Sequence, residues 1–145
     1  MQALLQRVTQ ASVDVDGQRI AAIKSGLLVF VGVFPDDTVA IAQSLADRTV
    51  DLRVFADAAK SMNRSVVDAG GEVLVVSQFT LAANTRKGRR PSFDSAAPPE
   101  LARALYGTFV ERVRSQLGAV STGRFGADMQ VALINDGPVT FLLSS

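Results

Sequence analysis

The chain has 145 residues, of which 48% are hydrophobic and 20% charged, and a formal net charge of +1. That is enough to bury about two-thirds of the unfolded surface, and it exerts no global pull toward nucleic acid. There is no cysteine and no histidine, which excludes disulfides, thiolate nucleophiles, cysteine zinc sites, a Ser-His-Asp triad and an HExxH metal site.

The first residues reach Arg7 without a hydrophobic signal core, and the apolar run at 27–34 is too short to span a bilayer. One domain over 1–145 with a cytoplasmic address is expected. Residues 3–23 read as a hairpin, because Ser12-Val13-Asp14-Val15 alternates and Asp16-Gly17 is a strong two-residue turn signal. Within its first strand Arg7 interrupts an apolar run, as a surface residue or as something more. Residues 26–34 form a third strand, apolar on both faces, which Pro35-Asp36-Asp37 stops while offering a helix N-cap. A helix through about Leu52 follows, with Ile41, Leu45, Thr49 and Leu52 on one stripe. Residues 60–63 read as a loop and 65–67 as a short strand, and Gly70-Gly71 turns into the next segment.

That segment, EVLVVSQFTL at 72–81, begins as a continuous β-branched run, which marks a strand buried on both faces. It then becomes Ser77-Gln78-Phe79-Thr80 without a turn residue. Polar side chains there are costly unless each finds a hydrogen-bond partner. Alternation places Gln78 and Thr80 on one face, and Ser77 and Phe79 on the other. Residues 82–99 are a long irregular loop, a class that is usually functional or mobile. It carries Arg86, Lys87, Arg89 and Arg90 around Gly88, either a solvated loop or a contact to phosphates. Phe93 reads as a packing anchor. Pro98-Pro99-Glu100 starts a second helix, Leu101, Leu105, Phe109, Val113 and Leu117 form its core stripe, and Gly118 ends it. Gly123-Arg124-Phe125-Gly126 matches a GxxG loop only superficially. Segments 129–134 and 139–143 read as a hairpin around Asp136-Gly137-Pro138.

SQFTL and NDGPVT, with the collinear stretches LLQRVTQASVDVDG, GLLVFVGV, KSMNRSV, NTRKGRRPSF and TGRFGADMQVALI, closely resemble the D-aminoacyl-tRNA deacylase family along the whole chain. The resemblance implies an α+β fold: curved β-sheets forming a barrel-like core, two main helices packed outside, and a homodimer with its active sites at the subunit interface. It implies hydrolysis of the ester at the 3′ end of D-aminoacyl-tRNA, and of glycyl-tRNA mischarged on tRNA(Ala), as chiral proofreading in translation quality control. No metal, no organic cofactor and no membrane are expected. Gly137-Pro138 matches a motif that in the family is cis and reaches into the partner's site. There the Gly137 carbonyl would accept from the substrate ammonium, and Pro138 would block an L side chain. Arg7 would sit beside that loop and hold it. Phe125 and Met129 would line the pocket, although Met129 reads equally well as core. Arg89 stands where many relatives are expected to have Asn, a departure from the family pattern within the phosphate-contact loop.

Without histidine, catalysis must rest on positioning and oriented N–H groups, for which Phe79 and Thr80 are the candidates. Thr80 as nucleophile needs an unseen base. The alternative is that the terminal ribose 2′-hydroxyl assists water while Gln78 and Thr80 orient, with Ser77 beside them. The rival of another class is a non-catalytic RNA-binding module that uses the loop 86–90.

Overall fold

The computed structural model describes residues 1–86 and 88–145. Its strands are β1 (Gln2–Val15), β2 (Gln18–Ile23), β3 (Gly26–Gly32), β4 (Glu72–Ser77), β5 (Ser121–Thr122) and β6 (Gln130–Ser144). The helices are α1 (Val39–Asp51) and α2 (Pro99–Leu117). The strands join in one mixed sheet of order β2-β1-β3-β4-β5, with β6 along the other side of β1. β3, β4 and β5 run parallel, and the remaining pairings are antiparallel. The sheet curls into a nearly closed barrel with both helices outside.

The apolar runs at β3 and β4 explain this layering. Leu27, Val29, Val31, Val73 and Val75 face the helices and pack with Leu45, Val50, Leu105, Phe109 and Val113. Leu28, Leu74 and Val76 point the other way, into a second core with Val8, Val13 and Ile23. Strands buried on both faces must be apolar through their central positions, and these are, over 27–31 in β3 and 73–76 in β4. β1 serves both cores: Ala3 and Leu5 belong to the first, Val8, Ala11, Val13 and Val15 to the second. Val8 and Ala11 share a face because the register against β6 shifts between Val8 and Gln10. The extra residue there changes the phase of the alternation.

Several local expectations hold. Asp16 and Gly17 both have positive φ in the turn joining β1 to β2, as the tight hairpin requires. In α2, Leu105, Phe109 and Val113 are buried, and Leu101 and Leu117 flank the core. Others are corrected. The cap of α1 is Thr38, whose hydroxyl accepts from the Ile41 N–H at 3.3 Å. Asp37 instead accepts from the Phe34 N–H at 2.7 Å and so closes the preceding turn. Residues 65–67 are a turn and not a strand, with Asp68 accepting from the Ser65 N–H at 2.9 Å. That bond and one from the Ser65 hydroxyl hold the Asp68 carboxyl below the usual range. The largest correction is at the C-terminal end. Residues 129–143 are not a hairpin, because β6 runs unbroken beside β1 from Gln130 to Ser144.

Gly26 begins β3 opposite Glu72, and a Cβ there would stand 1.8 Å from the Glu72 carbonyl oxygen. Gly26→Ala is expected to force β3 and β4 apart at their shared start and lower stability by about 3 kcal/mol, as read by urea denaturation.

Candidate active site

β4 ends because its ladder ends. The Gln78 N–H donates to the Val31 carbonyl at 2.8 Å, after which the chain coils into a 3₁₀ turn, Phe79–Ala82. The expected continuation of the strand through Thr80 is therefore corrected. Gln78 and Thr80 nevertheless satisfy one another, since the Gln78 amide donates to the Thr80 hydroxyl at 2.5 Å. Within the turn the Leu81 N–H returns to the Gln78 carbonyl at 3.2 Å. The N–H groups of Phe79 and Thr80 take no acceptor among the described residues, as befits the opening of a helical turn.

Beside this turn lies a cleft of about 510 Å³. Ser77, Gln78 and Phe79 line one wall, with Ala97, Pro99 and Ala102 from the start of α2 next to them. The opposite wall is Phe125, Gly126, Asp128 and Met129. The Phe125 ring is set by neighbours on both sides: Tyr106 at 5.8 Å between centroids, and the Arg103 guanidinium 4.6 Å over its face. Tyr106 is itself fixed, donating its hydroxyl to the Val75 carbonyl at 2.9 Å, and burial pushes its pKa up to about 12. Met129 is half-buried, packs against the second core and also lines the cleft, so both of its readings apply. Among the described lining residues Asp128 is the sole ionisable side chain.

The second motif is a bulge. Asn135 pairs with Val8 and Thr140 with Gln6, so four residues, 136–139, stand opposite Arg7 alone. Asn135 clasps the bulge from its near end to its far end: its side-chain Oδ1 accepts from the Val139 N–H at 2.7 Å, and its side-chain Nδ2 donates to the Thr140 hydroxyl at 2.8 Å. Arg7 holds the middle. Its Nε meets the Asp136 carbonyl at 3.2 Å and the Asp136 carboxylate at 3.1 Å, and Nη1 donates to the Val54 carbonyl at 2.5 Å. Gly137 has φ +135°, and its peptide bond to Pro138 is cis. A Cβ on Gly137 would meet Val139 Cγ2 at 2.7 Å.

Ser77, Gln78, Phe79, Phe125 and Met129 thus share one cleft, with Thr80 at its edge. Arg7, Gly137 and Pro138 form a second group. Arg7 pairs with Leu27 and Ser77 with Val31, so the two groups sit about 13 Å apart along β3 at ~3.3 Å per residue. Arg86, Arg89 and Arg90 are exposed on the loop beyond the 3₁₀ turn, and the Lys87 expectation lies outside the described residues. Among the described residues no cluster of His, Cys, Asp or Glu could hold a metal ion, and no helix is long and apolar enough to cross a membrane. Asn135 and Tyr106 were not anticipated in these roles. Asn135 had a signal, since Asn at the head of a Gly-Pro bend is a natural backbone acceptor. Tyr106 had none, because its acceptor lies on a distant strand.

The family model described as D-Tyr-tRNA(Tyr) deacylase matches residues 4–144. The chain belongs to that family. The D-aminoacyl-tRNA deacylase of Teredinibacter turnerae is 56% identical over 145 residues, covering 100% of both chains. That of Escherichia coli O1:K1 is 57% identical over 143 residues, covering 99% of each. Among solved structures, the c-Myc DNA Unwinding Element Binding Protein superposes with a TM-score of 0.94 at 42% identity, covering 100% of this chain and 99% of that one. A probable eukaryotic D-amino acid tRNA deacylase shares the fold, with a TM-score of 0.85 at 18% identity over 98% of this chain and 97% of that one.

In this D-Tyr-tRNA(Tyr) deacylase family member, Arg7→Ala removes the tie between the bulge and Val54. The Val139 amide is expected to exchange with solvent about tenfold faster, the worth of roughly one hydrogen bond, while the β3 and β4 amides keep their protection. Hydrogen exchange resolved by residue checks this.

Proposed function

We propose that this chain hydrolyses the ester linking a D-amino acid to the 3′ end of tRNA, acting in the cytoplasm as one domain of 145 residues in a homodimer. The observation that carries the reading is the end of β4, where two N–H groups without acceptors among the described residues, Phe79 and Thr80, open a turn beside an apolar cleft. An aminoacyl ester is already activated. Two backbone donors aimed at the developing oxyanion supply about 2.7–4 kcal/mol each, much of what such a barrier requires. Ser77 and Gln78 shape the approach, and the Gln78 amide holds the Thr80 hydroxyl in place.

No imidazole exists in the chain, so the proton must be handled otherwise. We assign that task to the ribose 2′-hydroxyl adjacent to the ester, which positions the attacking water and takes its proton while passing its own to the departing 3′-oxygen. Thr80 then orients and does not attack. Phe125 and Met129 hold the substrate from the far wall.

Chirality calls for a device stronger than one side-chain contact, which separates ligands by only about 1–3 kcal/mol. The bulge at Gly137-Pro138 is such a device, because clasped backbone cannot yield to a misplaced side chain. It stands about 13 Å along β3 from the cleft of its own chain, and β6, which carries it, exposes Ile134, Phe141 and Leu142. Both features support its serving the cleft of a second copy. There the Gly137 carbonyl accepts from the substrate ammonium, and Pro138 occupies the space an L side chain would need. Glycine has no side chain to exclude, so glycyl-tRNA mischarged on tRNA(Ala) passes. Arg86, Arg89 and Arg90, with Lys87, meet the tRNA phosphates.

The purified chain is expected to release D-tyrosine from D-tyrosyl-tRNA and to leave L-tyrosyl-tRNA intact. Release of neither amino acid would favour a non-catalytic RNA-binding module acting through the arginine loop. With tRNA ending in 2′-deoxyadenosine the rate should fall by more than about a hundredfold; equal rates reject substrate assistance. Thr80→Ala should cost about tenfold, the worth of one hydrogen bond, and trapping of an aminoacyl ester on Thr80 would establish it as the nucleophile instead.

A further inference from the structure

Phe79 and Phe93 are 57% and 40% exposed, and neither ring belongs to either apolar core. They lie together, with centroids 4.9 Å apart and planes inclined at 53°. An aromatic pair left in water at the rim of a cleft is an unfilled hydrophobic surface. Its backbone support is firm. Asn84 and Ser92 exchange two hydrogen bonds, at 2.8 and 3.0 Å, which seal the base of the loop. Phe93 follows directly, and its carbonyl accepts from the Ala96 N–H at 2.9 Å. The span between Asn84 and Ser92 presents Arg86, Arg89 and Arg90, all exposed and forming no ion pair with any described residue. One carboxylate stands close by, Asp94, which accepts from the Ser92 hydroxyl at 2.7 Å.

Exposed aromatic faces beside loose cations are the two ingredients of single-strand nucleic acid binding: rings stack on bases and cations track the phosphates. Phe79 touches both partners of this arrangement. It lines the cleft and opens the turn whose first N–H groups have no acceptor among the described residues, whereas Phe93 lies beyond it and does not line the cleft. The pair therefore stands at the rim next to that turn, within reach of a strand whose last ribose carries the ester there.

We propose that the Phe79–Phe93 pair is the stacking platform for the unpaired nucleotide immediately before the ester-bearing one, with Phe93 the specificity-determining member. The assignment deepens the deacylase reading and rests on it. It gives the enzyme a means of preferring an ester on a single-stranded 3′ end over the same ester on a lone nucleoside.

The test compares two substrates, D-tyrosyl-adenosine and the dinucleotide D-tyrosyl-cytidylyl-adenosine, with the ester on the terminal ribose of each. Phe93→Ala should raise KM for the dinucleotide about tenfold, in line with one lost base–aromatic stack. Its kcat, and both constants for the nucleoside ester, should not change, and Phe93→Trp should restore the dinucleotide KM. Equal effects on both substrates, or none on either, overturn the proposal. The chain has no tryptophan, so Phe93→Trp also supplies a lone fluorophore. Uncharged cytidylyl-adenosine should quench it and adenosine should not; quenching by both alike, or by neither, overturns the platform independently of hydrolysis. Should the unaltered chain cleave neither ester, the deacylase reading fails, and the quenching experiment still decides the stacking.

Discussion

One hydrogen bond marks where this molecule stops being scaffold and becomes site. The Gln78 N–H reaches the Val31 carbonyl at 2.8 Å, the final rung between β3 and β4. One residue later on β3 stands Gly32, where a Cβ would approach the Leu81 Cβ to 2.8 Å. With no side chain there, the 3₁₀ turn folds back directly against the end of β3. Both cores converge on this point, since Val75 packs under the helices and Val76 inside the barrel. The two N–H groups that follow are thus carried on the end of a strand whose four central residues are all buried. Rigid donors are what electrostatic stabilisation of a transition state requires, because they need no rearrangement as charge develops.

The composition then shapes the chemistry. Without histidine or cysteine, and with a cleft walled mainly by apolar groups and amides, little in the protein itself is suited to carry a proton at neutral pH. Fixed dipoles and exclusion of bulk water are what such a lining supplies, with Asp128 its sole ionisable group among the described residues. That division of labour suits an ester, whose reactivity needs aiming more than forcing. It also explains how polar residues can end a central strand: the Gln78–Thr80 pair is mutually satisfied before substrate arrives.

Much of the scaffold was readable from residue order. The Asp16-Gly17 turn, the doubly buried runs of β3 and β4, and the α2 stripe each depend on neighbours close in sequence, where period and turn chemistry operate. The failures share the opposite cause. Asp136-Gly137-Pro138 has the chemistry of a hairpin turn, yet β6 continues past it because β1 is long enough to pair on both sides of the interruption. Local pattern cannot separate a turn from a bulge when the deciding fact is the length of a partner strand at the other end of the chain. Residues 65–67 likewise carry β-branched side chains but lack a strand to pair with, and Asp68 closes them into a turn. Phe125 and Met129 were expected at a pocket through family likeness, whereas Asp128 and the residues at the start of α2 that share the cleft were not. The supports beneath them, Tyr106 under Phe125 and Asn135 across the bulge, depend on contacts that only the folded chain reveals.

The Asn135 clasp has a consequence for the timing of recognition. Residues 136–139 are stitched at both ends by one amide and at the middle by one guanidinium. Their ordering entropy is therefore spent while the chain folds, and none is left to subtract from affinity when a visitor docks. A loop that had to settle around each arrival would slow every encounter. This one is set before anything arrives.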